Sequence, residues 1–104
     1  MPTTPGAPSP PHERVAEVAR SDAARRSGLP VSQLKVVTLE SVTWPDGSLG
    51  CPRPGMAYTQ ALVPGYRVRL QVGTEVWDYH ASERGAIVLC PPDRSQEPGP
   101  SSRT

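Results

Sequence analysis

The chain has two cysteines, Cys51 and Cys90, and two histidines, His12 and His80. Together with Ser48, His80 and either Asp46 or Asp78 supply the residue types of a nucleophile, a general base and an orienting carboxylate. The local sequence departs from a strained nucleophile elbow. In Asp46-Gly47-Ser48-Leu49-Gly50 a glycine directly precedes the serine, whereas the G-x-S-x-G turn sets one residue between them. A chain of 104 residues also leaves little room for a substrate cavity of several hundred cubic ångströms. The expectation is a protein with no catalytic residue.

The cysteines have three available fates: a bridge, two free thiols, or a share in a metal site. Zinc asks for three or four ligands, and His12 and His80 lack the paired spacing of a known site, so neither metal nor other cofactor is expected. A bridge answers a specific need. Prolines crowd both ends of the chain, among Thr, Ser, Gly, Ala and Arg, and these ends read as unfolded polymer over residues 1–11 and 92–104. That leaves about 80 residues, residues 12–91, as a single domain, a size at which burial alone yields little net stability. Joining Cys51 to Cys90 would close a loop worth about 4 kcal/mol of chain entropy. A bridge would also imply an extracytoplasmic setting, periplasmic, surface-anchored or secreted. The opening stretch MPTTPGAPSPP has no basic region followed by an apolar core and does not read as a signal peptide. Eleven basic and ten acidic side chains give no footprint for nucleic acid, and no stretch is apolar enough to span a membrane.

Cys51 lies in WPDGSLGCPRPG, residues 44 to 55, within a connection of about twenty residues that has little secondary structure of its own. Pro45, Pro52, Pro54 and Pro64 fix backbone angles there, and Asp46-Gly47 suits a tight turn. A loop so restrained loses little entropy on meeting a partner. If it binds another protein, Trp44, Ser48, Leu49 and Arg53 are the candidate contacts. Several of the residues singled out also have plainer roles: Trp44 in the core, Asp46 as turn former, Arg53 solvated, and His80 a strand residue opposite Arg67.

The elements that must position this loop are legible from periodicity. Glu13 to Ser27 is rich in Ala, Arg and Glu, with Val15, Val18, Ala19 and Ala23 at helical spacing, and Gly28 and Pro30 end it. Ser9 could cap the start. Residues 34–44 read as a strand of imperfect alternation: Leu34, Val36, Val42 and Trp44 fall on one parity, Val37 and Leu39 on the other, so a bulge or bend is expected. Residues 66–72 alternate without fault. A two-residue turn at Gly73-Thr74 then pairs Leu70 with Trp77, Val68 with Tyr79 and Tyr66 with Ala81, leaving Arg69 opposite Asp78 and Arg67 opposite His80 on the outer face. A polar turn leads into a last strand ending at Cys90, and Val76, Ile87 and Leu89 are expected on the outer face, against a second subunit or a covering loop. The fold class is α+β: one N-terminal helix packed on an antiparallel sheet of three to four strands, with one long disulfide-tethered loop.

This order of helix, strand, hairpin and final strand resembles the PepSY and cystatin-like modules. The run VTWPDGSLGCPRPGMAYTQALVPGY, with the later Tyr79-His80 and Leu89-Cys90, is similar to a family of uncharacterised small exported bacterial proteins with a W-P-D-G-S-L-G-C-P-x-P-G motif. That resemblance implies the Cys51 to Cys90 pairing and an exported location. The expected function is a non-catalytic extracytoplasmic module that binds a protein partner through loop 44–55; the alternatives are a purely structural accessory domain, a peptidase inhibitor or a small hydrolase.

Overall fold

A computed structural model describes residues 11–98. The expected cap Ser9, most of the N-terminal tail and residues 99–104 lie outside the described residues. The helix α1 spans Pro11–Ser27, and four antiparallel strands follow: β1 Lys35–Trp44, β2 Val63–Val72, β3 Glu75–Ser82 and β4 Ile87–Cys90, in the order β1-β2-β3-β4. The fold is therefore α+β, a helix on one face of a four-stranded meander.

Helix α1 ends as its composition predicts. Gly28 adopts a left-handed φ of 79°, and its N–H donates to Ala24 O, which satisfies one of the last-turn carbonyls. The buried stripe differs from the expected one. Ala16, Ala19 and Ala23 face the sheet and Val15 packs at its edge, whereas Val18 is exposed. Small residues along this stripe let the helix approach closely. Ala19, Ala23 and Leu34 meet Val68, Leu70, Val72 and Tyr79 in one apolar cluster.

The β2–β3 hairpin has the register derived from its turn, Val72 against Glu75 through Tyr66 against Ala81, with Arg67 opposite His80 and Arg69 opposite Asp78. Strand β1 carries the expected irregularity between Val36 and Thr38. Its effect is to change faces. Leu34 and Leu39, of opposite parity, both pack against the helix-side cluster, while Val42 and Trp44 turn to the other side of the sheet. The bulge thus divides one strand's apolar residues between two cores. In β4 the expectation is corrected: Ile87 and Leu89 pair with Ala81 and Tyr79 and pack against the helix-side cluster, so of the three residues expected on the outer face only Val76 lies there, exposed.

The outer face is not left to solvent. Residues 45–62 fold over it, and residues 91–98 pack beside them past the boundary expected at residue 91: the Gln96 N–H donates to Gly50 O at 2.8 Å. Val42, Trp44 and Leu49, flanked by Val63 and Val88, form a second apolar cluster beneath this cover. Two glycines mark close contacts, one beneath this cover and one between β2 and β3. A Cβ on Gly50 would lie 2.6 Å from the Trp44 ring, and one on Gly65 would lie 1.9 Å from Ala81 O, so neither place accepts a side chain.

Candidate functional site

The loop is fastened at its root. Cys51 and Cys90 are disulfide-bonded, their Cα atoms 5.8 Å apart. Asp46 Oδ1 accepts from the Ser48 N–H at 2.9 Å and the Ser48 hydroxyl at 2.6 Å, the Asx turn expected of Asp-Gly. The Gly47 N–H donates to Thr59 O, closing the loop's two arms on each other. Leu49 has a left-handed φ of 59°, followed by Gly50 at 71°. For a non-glycine residue this conformation costs about 1–2 kcal/mol. It coincides with a contact that fixes the loop: the Leu49 carbonyl meets His80 Nδ1 at 2.6 Å.

His80 is the centre of a buried polar cluster. It is fully buried, stacked on Trp44 with ring centroids 4.3 Å apart. Its Nε2 lies 3.0 Å from Asp78 Oδ2 and 3.3 Å from Ser95 Oγ, and the Ser95 hydroxyl donates to Asp78 Oδ2 at 2.8 Å. Arg67, 4% exposed, donates through Nε to Asp78 Oδ1 at 3.1 Å and through a terminal nitrogen to Oδ2 at 3.0 Å, a two-point grip that a planar guanidinium is shaped to make. Its other terminal nitrogen donates to Glu97 Oε1 at 3.0 Å. Burial of Asp78 would raise its pKa. Hydrogen bonds from His80, Arg67 and Ser95 outweigh that and hold the carboxyl well below the ordinary carboxylate range. Glu97 is lowered chiefly by its hydrogen bond from Arg67.

Asp78 and Ser95 approach the same nitrogen of His80, and the opposite nitrogen is taken by the Leu49 carbonyl. A nucleophile and base oriented by a carboxylate need the two partners on opposite nitrogens. Ser48 is engaged by Asp46, and among the described residues no hydrogen bond joins it to His80. What this arrangement does is hold chain together: it joins β2, β3, the root of the loop and the C-terminal segment at one point. Among the described residues there is no group of three or more His, Cys, Asp or Glu able to hold a metal ion.

The candidate contacts divide sharply. Trp44, Ser48 and Leu49 are buried, because the loop's root forms part of the second core, and their expected role as surface contacts is corrected accordingly. Trp44 also donates through Nε1 to Ala81 O at 3.0 Å. Arg53 is exposed, and its N–H donates to the Tyr58 hydroxyl at 3.1 Å. Beyond it Met56 is 58% and Leu62 67% exposed. Ser95 and Glu97 were missed altogether. Asp78, His80 and Arg67 were placed on one face by the hairpin register, and three ionisable residues clustered on a strand face are the one signal that a polar partner was to be sought.

The anatomy is that of a small α+β module with a disulfide-tied loop over its second sheet face. Residues 16–90 match the model of a domain of unknown function (DUF8738), and the chain belongs to that family. No curated protein and no solved structure matches it. Ser95 and Glu97 lie beyond the matched stretch.

Proposed function

We propose that the protein is a non-catalytic extracytoplasmic binding module, and that its contact surface is the exposed arc of residues 52–62 rather than the loop's root. One observation carries this reading: the arc is held from several sides, yet it presents large apolar side chains to solvent. The disulfide, the Gly47 to Thr59 hydrogen bond and the Tyr58 hydroxyl on the Arg53 N–H restrain it, while Arg53, Met56 and Leu62 stand exposed. Preorganised loops bind at a low entropic cost, and arginine and methionine are enriched at such contacts. The extracytoplasmic setting is supported by the disulfide. That no described helix is long and apolar enough to cross a membrane is compatible with it. The likeness to PepSY and cystatin-like modules remains one of element order.

A photo-crosslinking residue at position 56 tests the reading. In extract from the native source it should yield one discrete crosslinked protein, lost in Arg53→Ala and in Leu62→Ser, with both variants melting within about 0.5 kcal/mol of the parent, as exposed substitutions do. Crosslinking that persists in both variants would remove the arc from the contact surface.

A further inference from the structure

We propose that residues 91–98 form an electrostatic strap that opens as a unit, without unfolding of the domain, and controls access of thiol reductants to the Cys51–Cys90 bridge. The strap's composition is Pro-Pro-Asp-Arg-Ser-Gln-Glu-Pro, so apart from prolines it offers no apolar side chain to the fold. Its attachments are polar: Ser95 to Asp78 and His80, the Gln96 N–H to Gly50 O, and Glu97 to Arg67. The Glu97 side chain is 70% exposed. What lies beneath is of another kind, since His80, Arg67 and both half-cystines are buried. The Arg94 guanidinium sits over the bridge, 3.9 Å from Cys51 Sγ, and its Nε is buried without a hydrogen-bond partner.

A segment with no buried apolar anchor belongs to the low-stability end of a structure and opens locally at a smaller cost than the core. Water-exposed ion pairs are screened by salt, with a Debye length of about 10 Å at 0.1 M, so the Glu97 attachment weakens as salt rises. Opening the strap bares Cys51 on the side where Arg94 now lies. A dithiol reductant can then act: its thiolate attacks one sulfur of the bridge and the other leaves as a thiolate. The reductant's second thiolate attacks the reductant's own sulfur in the mixed disulfide, breaking that bond and releasing the protein's sulfur as a thiolate. The reductant departs as a cyclic disulfide, and the protein gains two electrons and two protons as two thiols.

The test is the rate of bridge reduction by dithiothreitol at fixed pH, followed by thiol alkylation and mass, in the full chain, first without denaturant and then across a series of low urea concentrations. Glu97→Gln and Ser95→Ala should each speed reduction about three- to tenfold, the range of one weakened exposed attachment. Raising sodium chloride from 0.05 to about 1 M should speed the parent and not Glu97→Gln. Lys35→Gln, at the exposed start of β1, serves as control and should leave the rate unchanged. Amide exchange gives a second readout: Gln96 should exchange well before Leu70 in the parent, and faster again in Glu97→Gln. If both variants reduce at the parent rate, or if reduction in all of them has the denaturant dependence of global unfolding, the strap is no separate unit and the proposal fails.

Discussion

The two faces of the sheet are closed by different physics. On the helix side the seal is apolar: Ala19, Ala23 and Leu34 lie on Val68, Leu70 and Tyr79, with one polar pin, the Tyr79 hydroxyl donating to Asp22 Oδ2 at 2.7 Å. On the loop side Val42, Trp44 and Leu49 supply a smaller apolar patch, and the closure is completed by the disulfide and the Arg67, Asp78, His80 and Ser95 cluster. A regular helix satisfies its own backbone and can press an apolar stripe onto the sheet. An irregular loop cannot, so its carbonyls and N–H groups need partners, and Leu49 O and Gly50 O find them in His80 and Gln96. The lesson is that a long loop can serve as a layer of a small domain if buried polar groups are provided for its backbone.

The sharpest way to break this comparison is to remove each side's carboxylate. Asp78→Ala leaves the buried Arg67 guanidinium with only the exposed Glu97, and breaking a buried pair in this way costs about 3–5 kcal/mol. Asp22→Ala loses exposed pairs to Arg25 and Arg26 and one tyrosine hydrogen bond, about 1–2 kcal/mol. Urea unfolding monitored by circular dichroism measures both. Equal costs would mean that the Asp78 cluster is no more of a keystone than a surface network.

How much of this was legible in the sequence follows the same division. Helix α1 and the hairpin announce themselves through local periodicity, and Gly73-Thr74 fixes every partner from Val72 to Tyr66. The disulfide partners are the chain's two cysteines. The bulge in β1 was visible as broken alternation, but not its consequence, because which face Trp44 meets depends on a cover supplied by residues distant in sequence. For the same reason Ser48 and Leu49, bracketed by glycines and in a turn, look like surface residues and are core. The strap was least legible. Its proline-rich polar composition matches that of an unfolded tail, and its bonds reach 17 residues from Ser95 to Asp78 and 30 from Glu97 to Arg67, with no periodic signal to link them.

Titration sharpens the comparison, since the two sides should fail at opposite ends of the pH scale. Asp78 is held below its ordinary value, so its contribution is fully present above about pH 4, the unfolded value, and is lost as pH falls through the lower folded one. Tyr79 is shifted upward, by burial first and by its hydrogen bond to Asp22 next. Its contribution is full below about pH 10 and is lost as pH rises through the folded value. The two tryptophans report separately, Trp44 from the loop-side cluster and Trp77 from the edge of the helix-side one. With Trp77→Phe the remaining fluorescence should change in acid, and with Trp44→Phe in alkali. Asp22 is also lowered, because hydrogen bonds from Tyr79 and Arg26 overcome its burial, so the helix side should show a smaller acid response of its own. Coincident transitions from both probes would indicate one cooperative unit with no division between faces.

The smallest expected effect isolates the helix-side pin. Tyr79→Phe keeps the ring in the apolar cluster and deletes one hydroxyl that donates to a carboxylate, a change worth about 0.5–1 kcal/mol and less than that of Asp22→Ala because Asp22 retains Arg25 and Arg26. Two consequences should accompany the loss. The alkaline limb of stability should flatten, since the group that titrates there is gone. The acid response of the helix side should shrink as well, because Asp22 loses a hydrogen bond that holds its pKa down. The loop-side acid transition, read from Trp44, should stay where it was, as the side chains of Asp78 and His80 lie on the opposite face of β3 from Tyr79. A Tyr79→Phe variant in which Trp44 also reports an altered acid limb would show that the sheet couples its two faces, and the division between them would have to be redrawn as a single network crossing β3.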